Sequence, residues 1–378
     1  MQDTELGIYV HIPFCKKKCD YCDFVSFCGM DEIIEQYIQC LINEIENKAK
    51  QFKDRNVKTI YFGGGTPSYI ESKYITRVLE NISKNFKVNL DAEITIEANP
   101  GTVTKEKIES YKKAGINRIS IGLQTTSDIL LKEIGRIHTY KEFLDTYKIA
   151  RNVFDNINVD LMLGLPNQSL KDLEDSLQKV IELNPEHISV YSLILEEKTK
   201  MYEKYENGVL NLPDDELERK MYWYVKKSLE KNGYNHYEIS NFAKNGYESK
   251  HNIDCWSQKQ YLGFGINASS YVDSKRFSNV PNINEYIKNI KNNEPEKNEI
   301  LEEIQDREMQ MKEFMLLGLR KIEGIRNQDF YNKFGIDVEE EFEIELKKLR
   351  KENLIEKDKV KLTNRGLDLA NIVWEEFI

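Results

Sequence analysis

A chain of 378 residues, 40% of them apolar, is long enough for one large α/β domain and a smaller second one. Its formal charge of -10 is spread through mixed Lys/Glu stretches, which argues for a solvated surface and against a groove for nucleic acid. The acidic start Met1-Gln2-Asp3-Thr4-Glu5 lacks the basic and apolar parts of a signal peptide, and no apolar run approaches the ~18 residues that span a bilayer, so a cytoplasmic protein with reduced cysteines is expected.

The first predicted strand covers 7–11 and runs into Cys15-x-x-x-Cys19-x-x-Cys22. Three thiolates on one short loop can ligate three irons of a [4Fe-4S] cubane and leave the fourth iron without a protein ligand. An iron with an open position can chelate the amino and carboxylate groups of S-adenosylmethionine and set its sulfonium beside the cluster. The cofactors carry that chemistry, and the protein supplies position and excludes water. Zinc is the competing reading, with His11 as a fourth ligand, although structural zinc usually draws its ligands from two knuckles. Cys28 is a candidate fourth cluster ligand, and Cys40 falls off the apolar face of the next helix. Lys16, Lys17 and Lys18 suit either a plain solvated loop or an electron donor with an acidic face. Tyr21 can lay its ring on adenine.

From 31 to 50, Ile34, Tyr37, Ile38, Leu41 and Ile45 share one helical face, which predicts a crossover helix to a parallel strand at 58–62. Further strands are expected at 93–97, 118–123, 158–163 and 187–193, separated by stretches of helical period. Several of these strands end in residues that are poor strand formers: Gly63-Gly64-Gly65-Thr66-Pro67, Glu97-Ala98-Asn99-Pro100, Leu123-Gln124 and Leu163-Gly164-Leu165-Pro166. In a parallel barrel the carboxyl ends of the strands share one rim, so these motifs converge with the cysteine loop. Glycines there let the backbone approach a ligand, and Glu97, Gln124, Arg136 and Asp160 offer groups for ribose hydroxyls and the methionine carboxylate. The Gly-Lys-Ser/Thr ending of a phosphate loop is absent from the glycine run.

Residues 1–205 therefore form the expected barrel. Residues 206–282 read as a lid or extension with a helix starting at Pro213-Asp214-Asp215-Glu216, and they carry His251-Asn252-x-x-x-Trp256. Within 283–378, the Asn- and Lys-rich stretch 283–301 reads as a surface connection. Helices at 311–319, 327–334 and 339–350 and a hairpin at 354–362 follow, a winged-helix-like tail. That tail carries about five more acids than bases, the wrong sign for phosphate contacts, so DNA is not an expected partner.

The segments Tyr9-Val10-His11-Ile12-Pro13-Phe14-Cys15, Phe62-Gly63-Gly64-Gly65-Thr66-Pro67-Ser68, Gly135-Arg136-Ile137-His138-Thr139, Asp160-Leu161-Met162-Leu163-Gly164-Leu165-Pro166 and Tyr237-Glu238-Ile239-Ser240-Asn241-Phe242 resemble the oxygen-independent coproporphyrinogen III oxidase-like group of radical S-adenosylmethionine (radical SAM) proteins, almost from end to end. The resemblance implies a partial (β/α)6 barrel with S-adenosylmethionine contacts at Tyr9, Tyr21, Gly64, Gly65, Thr66, Glu97, Gln124, Arg136 and Asp160. The chain is most similar to the haem-chaperone branch, because Phe24 stands where the oxidase branch has a further cysteine. That branch implies haem as a ligand, haem-recipient proteins, a reducing donor such as flavodoxin or ferredoxin, and a peripheral stay at the membrane during delivery. It departs from the branch at Cys255, where relatives have tyrosine, and at Ser269, where they often have histidine. Two catalytic readings stand beside the chaperone: decarboxylation of the propionates of coproporphyrinogen III, and radical chemistry on another tetrapyrrole. Either would be an oxidoreductase that cleaves S-adenosylmethionine reductively. His251 is a candidate axial haem ligand with Trp256 packing on the macrocycle, against a purely structural role for both.

Overall fold

A computed structural model describes residues 5–378; the first four residues of the acidic start lie outside them. All six expected strands are present: β1 (Glu5–Ile12), β2 (Asn56–Gly64), β3 (Lys87–Ala98), β4 (Arg118–Gln124), β5 (Ile157–Leu163) and β6 (His187–Ser192). They pair in parallel and in chain order, as crossovers through intervening helices dictate. The first crossover, Ile34–Phe52, buries Tyr37, Ile38, Leu41 and Ile45 as its period requires. Cys40 is buried on the same helix and belongs to the core, contrary to its expected place off the apolar face.

Parallel strands covered on both faces usually read as unbroken apolar runs. Here only the outer, helix-covered positions do: Ile60 and Phe62, Ile94 and Ile96, Ile119 and Ile121, Val159 and Leu161, Ile188 and Val190 join one core. The alternate positions are polar, as in Glu93-x-Thr95-x-Glu97, Arg118-x-Ser120, Asn158-x-Asp160 and His187-x-Ser189. The period of two places them all on the inner face of the curved sheet, which is therefore a polar cavity wall.

The sheet stays open and extends on both sides to twelve strands. On the β6 side lie β7 (Asn235–Glu238) and β8 (Asn241–Ala243); on the β1 side, β9 (Tyr261–Phe264), β10 (Ser269–Val272), β11 (Lys275–Asn279) and β12 (Glu299–Ile304). Residues 206–282, read as a lid, thus supply strands at both edges, and the helix Lys250–Trp256 crosses the barrel floor, where its first amides meet the Glu93 carboxylate. The helix Asp215–Lys231 starts where expected, capped by Asp214. The stretch 283–301 is not a surface connection: it holds the helix Ile283–Lys291, which buries Ile283, Tyr286, Ile287 and Ile290 in the barrel core. Its apolar period is diluted by Asn and Lys on the solvent face.

A second core runs from Met311 to Phe377 under the helices Arg307–Gly318, Asn327–Phe334 and Glu343–Lys351. The expected hairpin is reduced to the contact of Ile355 with Leu362, while Val360 pairs with Ile325. This small domain joins the sheet edge through Glu238 and Lys321. Among the described residues no helix is long and apolar enough to cross a membrane.

Candidate functional site

The strand ends and the loop after β1 enclose a cavity of about 330 Å³. Two backbone bonds clamp that loop shut, from Phe27 N to Pro13 O at 2.7 Å and from Cys15 N to Phe27 O at 2.9 Å. Cys15 is buried, with its Sγ 3.4 Å from Thr66 Oγ1, and Cys19 and Cys22 are half-buried within one turn of each other. A Cβ on Gly65 would come within 3.0 Å of Cys15 Sγ and of the backbone at Ile12 and Phe14, so glycine is what lets the two loops meet. Arg136 Nη1 lies 3.6 Å from Cys19 Sγ, a cation beside the position of an anionic cluster. Burial pushes the Cys15 thiol up and the Cys22 thiol up to about 11, so metal binding here must release protons.

A [4Fe-4S] cluster fits this donor set, because three thiols share one loop within electrostatic reach of each other. Among the described residues no three His, Cys, Asp or Glu side chains converge as a single zinc ion would need, whereas a cubane spreads its thiolates over three irons. His11 is excluded as a fourth ligand. Its Nε2 donates to Val25 O at 2.8 Å, its Nδ1 is engaged by Tyr9 Oη at 3.2 Å, and burial holds it neutral with a pKa of about 4. Cys28 is exposed.

Eight of the nine expected S-adenosylmethionine contacts line the cavity: Tyr21, Gly64, Gly65, Thr66, Glu97, Gln124, Arg136 and Asp160. Tyr9 does not line it and instead supports the wall from behind, stacked 6.3 Å from Tyr61. Arg136 Nη2 donates to Asn99 Oδ1 at 2.8 Å and to the Gly122 carbonyl, while its Nε is buried without a partner. An orphaned guanidinium nitrogen next to the cysteines is a ready donor for a ligand carboxylate. Glu97 accepts from Tyr61 Oη at 2.9 Å, and burial pushes its carboxyl up to about 7. Asp160 accepts from Asn158 Nδ2 at 2.6 Å and Ser120 Oγ at 3.1 Å; burial raises it too. Gln124 holds φ at +74°, a strained value for a side-chain-bearing residue, which turns the strand end toward the cavity.

Sequence motifs did not disclose the inner wall: Tyr61, Arg118, Ser120, Asn158, Ser189 and Tyr191 also face the cavity. The signal was available as polar residues at every second position of otherwise apolar parallel strands. The expected haem pair is not brought together. His251 is buried in the barrel, with Nδ1 2.8 Å from Thr59 Oγ1 and its ring stacked 5.2 Å from Tyr61. Trp256 lies under the C-terminal domain, its ring 4.4 Å from the Arg320 guanidinium. Five residues apart on a helix, the two side chains diverge by about 140°.

The family described as Radical SAM superfamily matches residues 9–180, and the HemN C-terminal domain matches 305–369. The solved structure of coproporphyrinogen III oxidase (HemN) from Escherichia coli shares the fold, with a TM-score of 0.86 at 23% identity over 98% of this chain and 89% of that one. A Bacillus subtilis protein named heme chaperone HemW is 40% identical over 376 residues, 98% of each chain. Its Lactococcus lactis namesake is 37% identical over 373 residues, 98% of this chain and 96% of that one. Fold and site together define the class, a radical SAM protein, and with it a [4Fe-4S] cluster and S-adenosylmethionine. Within that superfamily the chain belongs to the HemW family.

Proposed function

We propose that this chain is a haem chaperone, which binds haem and passes it to recipient proteins while carrying a [4Fe-4S] cluster on Cys15, Cys19 and Cys22 and S-adenosylmethionine in the barrel cavity. The observation that carries the reading is the end-to-end likeness to proteins named heme chaperone HemW, 40% identity across 98% of both chains in one case. When bound, the cluster supplies one-electron reduction of the sulfonium. The chain's own residues bind and orient. Arg136 takes the methionine carboxylate, Glu97 and Asp160 accept from ribose hydroxyls, and Tyr21, packed with Leu130, Ile134 and Met162, covers the adenine and keeps water out. Lys16 and Lys17 are exposed on the cluster loop and offer cations to an acidic flavodoxin or ferredoxin, whereas Lys18 is tied to the Phe24 carbonyl at 2.9 Å.

Phe24, 59% exposed at the cavity wall, supplies an apolar aromatic surface where the oxidase branch has a thiol. The test is anaerobic reconstitution with cluster and S-adenosylmethionine, followed by haem titration and by product analysis with coproporphyrinogen III. Tight haem binding with no vinyl-bearing product is expected. Conversion to protoporphyrinogen would replace the chaperone with the oxidase.

A further inference from the structure

Arg118 opens β4, six residues before Gln124 at the rim; at ~3.3 Å per residue its backbone lies about 20 Å down the strand. The residue is 2% exposed, yet it lines the same cavity as Cys15 and Cys19. Among the described residues its side chain makes no ion pair and no hydrogen bond, and its Nε is buried without a partner. The acids around it are committed elsewhere. Glu93 takes the amides of Lys250 and His251 at 3.1 Å each, Asp160 takes Asn158 and Ser120, and Glu97 takes Tyr61. Glu93 and Asp160 reach Arg118 only through space. Two other sheltered arginines are ion-paired, Arg151 with Glu186 at 2.9 Å and Arg276 with Glu313 at 2.8 Å, while Arg320 lays its guanidinium on Trp256 and Trp374.

A buried guanidinium without a bonded counter-ion is expensive, and folds keep one where a ligand supplies the missing anion. We propose that Arg118 is an anion-binding residue on the cavity floor that takes a carboxylate of a bound ligand. Its planar fork matches two carboxylate oxygens, and the hydroxyls and amides of Ser120, Asn158, Ser189 and Asn252 complete a polar well. The proposal deepens the reading of the cavity as a ligand site. Arg136 at the rim takes the methionine carboxylate, so the carboxylate the floor is built for is a propionate of the tetrapyrrole; selective loss of S-adenosylmethionine would instead move its methionine end to the floor.

The test uses the full, cluster-loaded chain as wild type, Arg118→Gln and Arg118→Lys. The probes come in pairs with and without the carboxylate: S-adenosylmethionine against 5′-methylthioadenosine, and haem against haem dimethyl ester. In one pair, Arg118→Gln is expected to weaken the carboxylate-bearing probe at least tenfold and leave its counterpart at wild-type affinity, with partial recovery in Arg118→Lys. The affected pair names the source. Unliganded Arg118→Gln is expected to melt no lower than wild type, since the lost charge has no bonded partner. Wild-type affinity for all four probes, equal loss within both pairs, or a variant that fails to fold or melts lower with its binding intact would overturn the proposal. If wild type takes no haem but loses S-adenosylmethionine selectively in Arg118→Gln, the chaperone reading fails and the anion site stands.

Discussion

The rim and the floor of this barrel are built from the same six strands and serve opposite ends. At the rim, contiguous motifs bring reactive or unsatisfied groups together: three free thiols, an Arg136 Nε without a partner and a strained Gln124. On the floor, most polar groups satisfy each other. His187 spends Nδ1 on Asn158 at 2.6 Å and Nε2 on Tyr237 at 2.7 Å, and Glu93 caps the helix Lys250–Trp256. Satisfied buried networks rigidify, and unsatisfied groups mark where a ligand belongs. Arg118 is the charged floor residue that follows the rim's rule.

The largest effect expected is at the cysteines. Cys15→Ala, Cys19→Ala or Cys22→Ala should each abolish the cluster in iron and absorbance assays after anaerobic reconstitution, because an underligated iron is lost. Cys28→Ala and Cys40→Ala should retain it. A cluster that survives Cys19→Ala would dissolve the rim as drawn.

Next come the floor contacts. His187→Ala removes two buried hydrogen bonds, although Asn158 Oδ1 keeps Ser189 Oγ at 3.1 Å and Tyr237 Oη keeps the Ser249 amide at 3.2 Å, and should cost about 1–3 kcal/mol of stability by denaturant titration, with the cysteine loop still able to take its cluster. Equal stability in the variant would show that the floor network is not a scaffold.

Removing Glu97 or Asp160 should weaken S-adenosylmethionine by about 1.5–3 kcal/mol, roughly 10- to 150-fold, with cluster content unchanged by calorimetry and iron assay. Glu97 adds a pH signature. Its folded pKa of about 7 lies above its ordinary 4.5, so the folded chain holds a proton that the unfolded chain has released. The stability share of this group therefore falls as pH rises from about 4.5 to about 7. Affinity for ribose hydroxyls, which need the ionised acceptor, should rise through pH 7 and become flat in Glu97→Gln.

The smallest effect separates scaffold from haem ligand. His251→Ala should lower stability by about 1–2 kcal/mol, through the lost Thr59 bond and Tyr61 contact, and leave the Soret band of bound haem in place. A shifted Soret band would return His251 to the iron.

The six strands, the crossover helix, the cysteine loop and the motifs at the strand ends were legible in the sequence, because each is a contiguous run whose chemistry depends on its own spacing. Whether His251 and Trp256 face one site was not legible for a complementary reason: they are near in sequence, but a helix turns them apart and different partners claim each. The helix Ile283–Lys291 was hidden by the Asn and Lys of its outer face, and only its contact with the helix Ile34–Phe52, where Tyr286 Oη donates to Glu44 at 2.5 Å, shows why it forms. By itself the sequence determined the parallel order and the position of the three-cysteine loop after β1, since the period of hydrophobicity and the cysteine spacing act within one segment. Tertiary structure alone decided which polar strand residues face the cavity and which of them lack a partner. Burial and hydrogen bonding at Arg118, Arg136 and His187 depend on side chains that arrive from elements far apart in the chain.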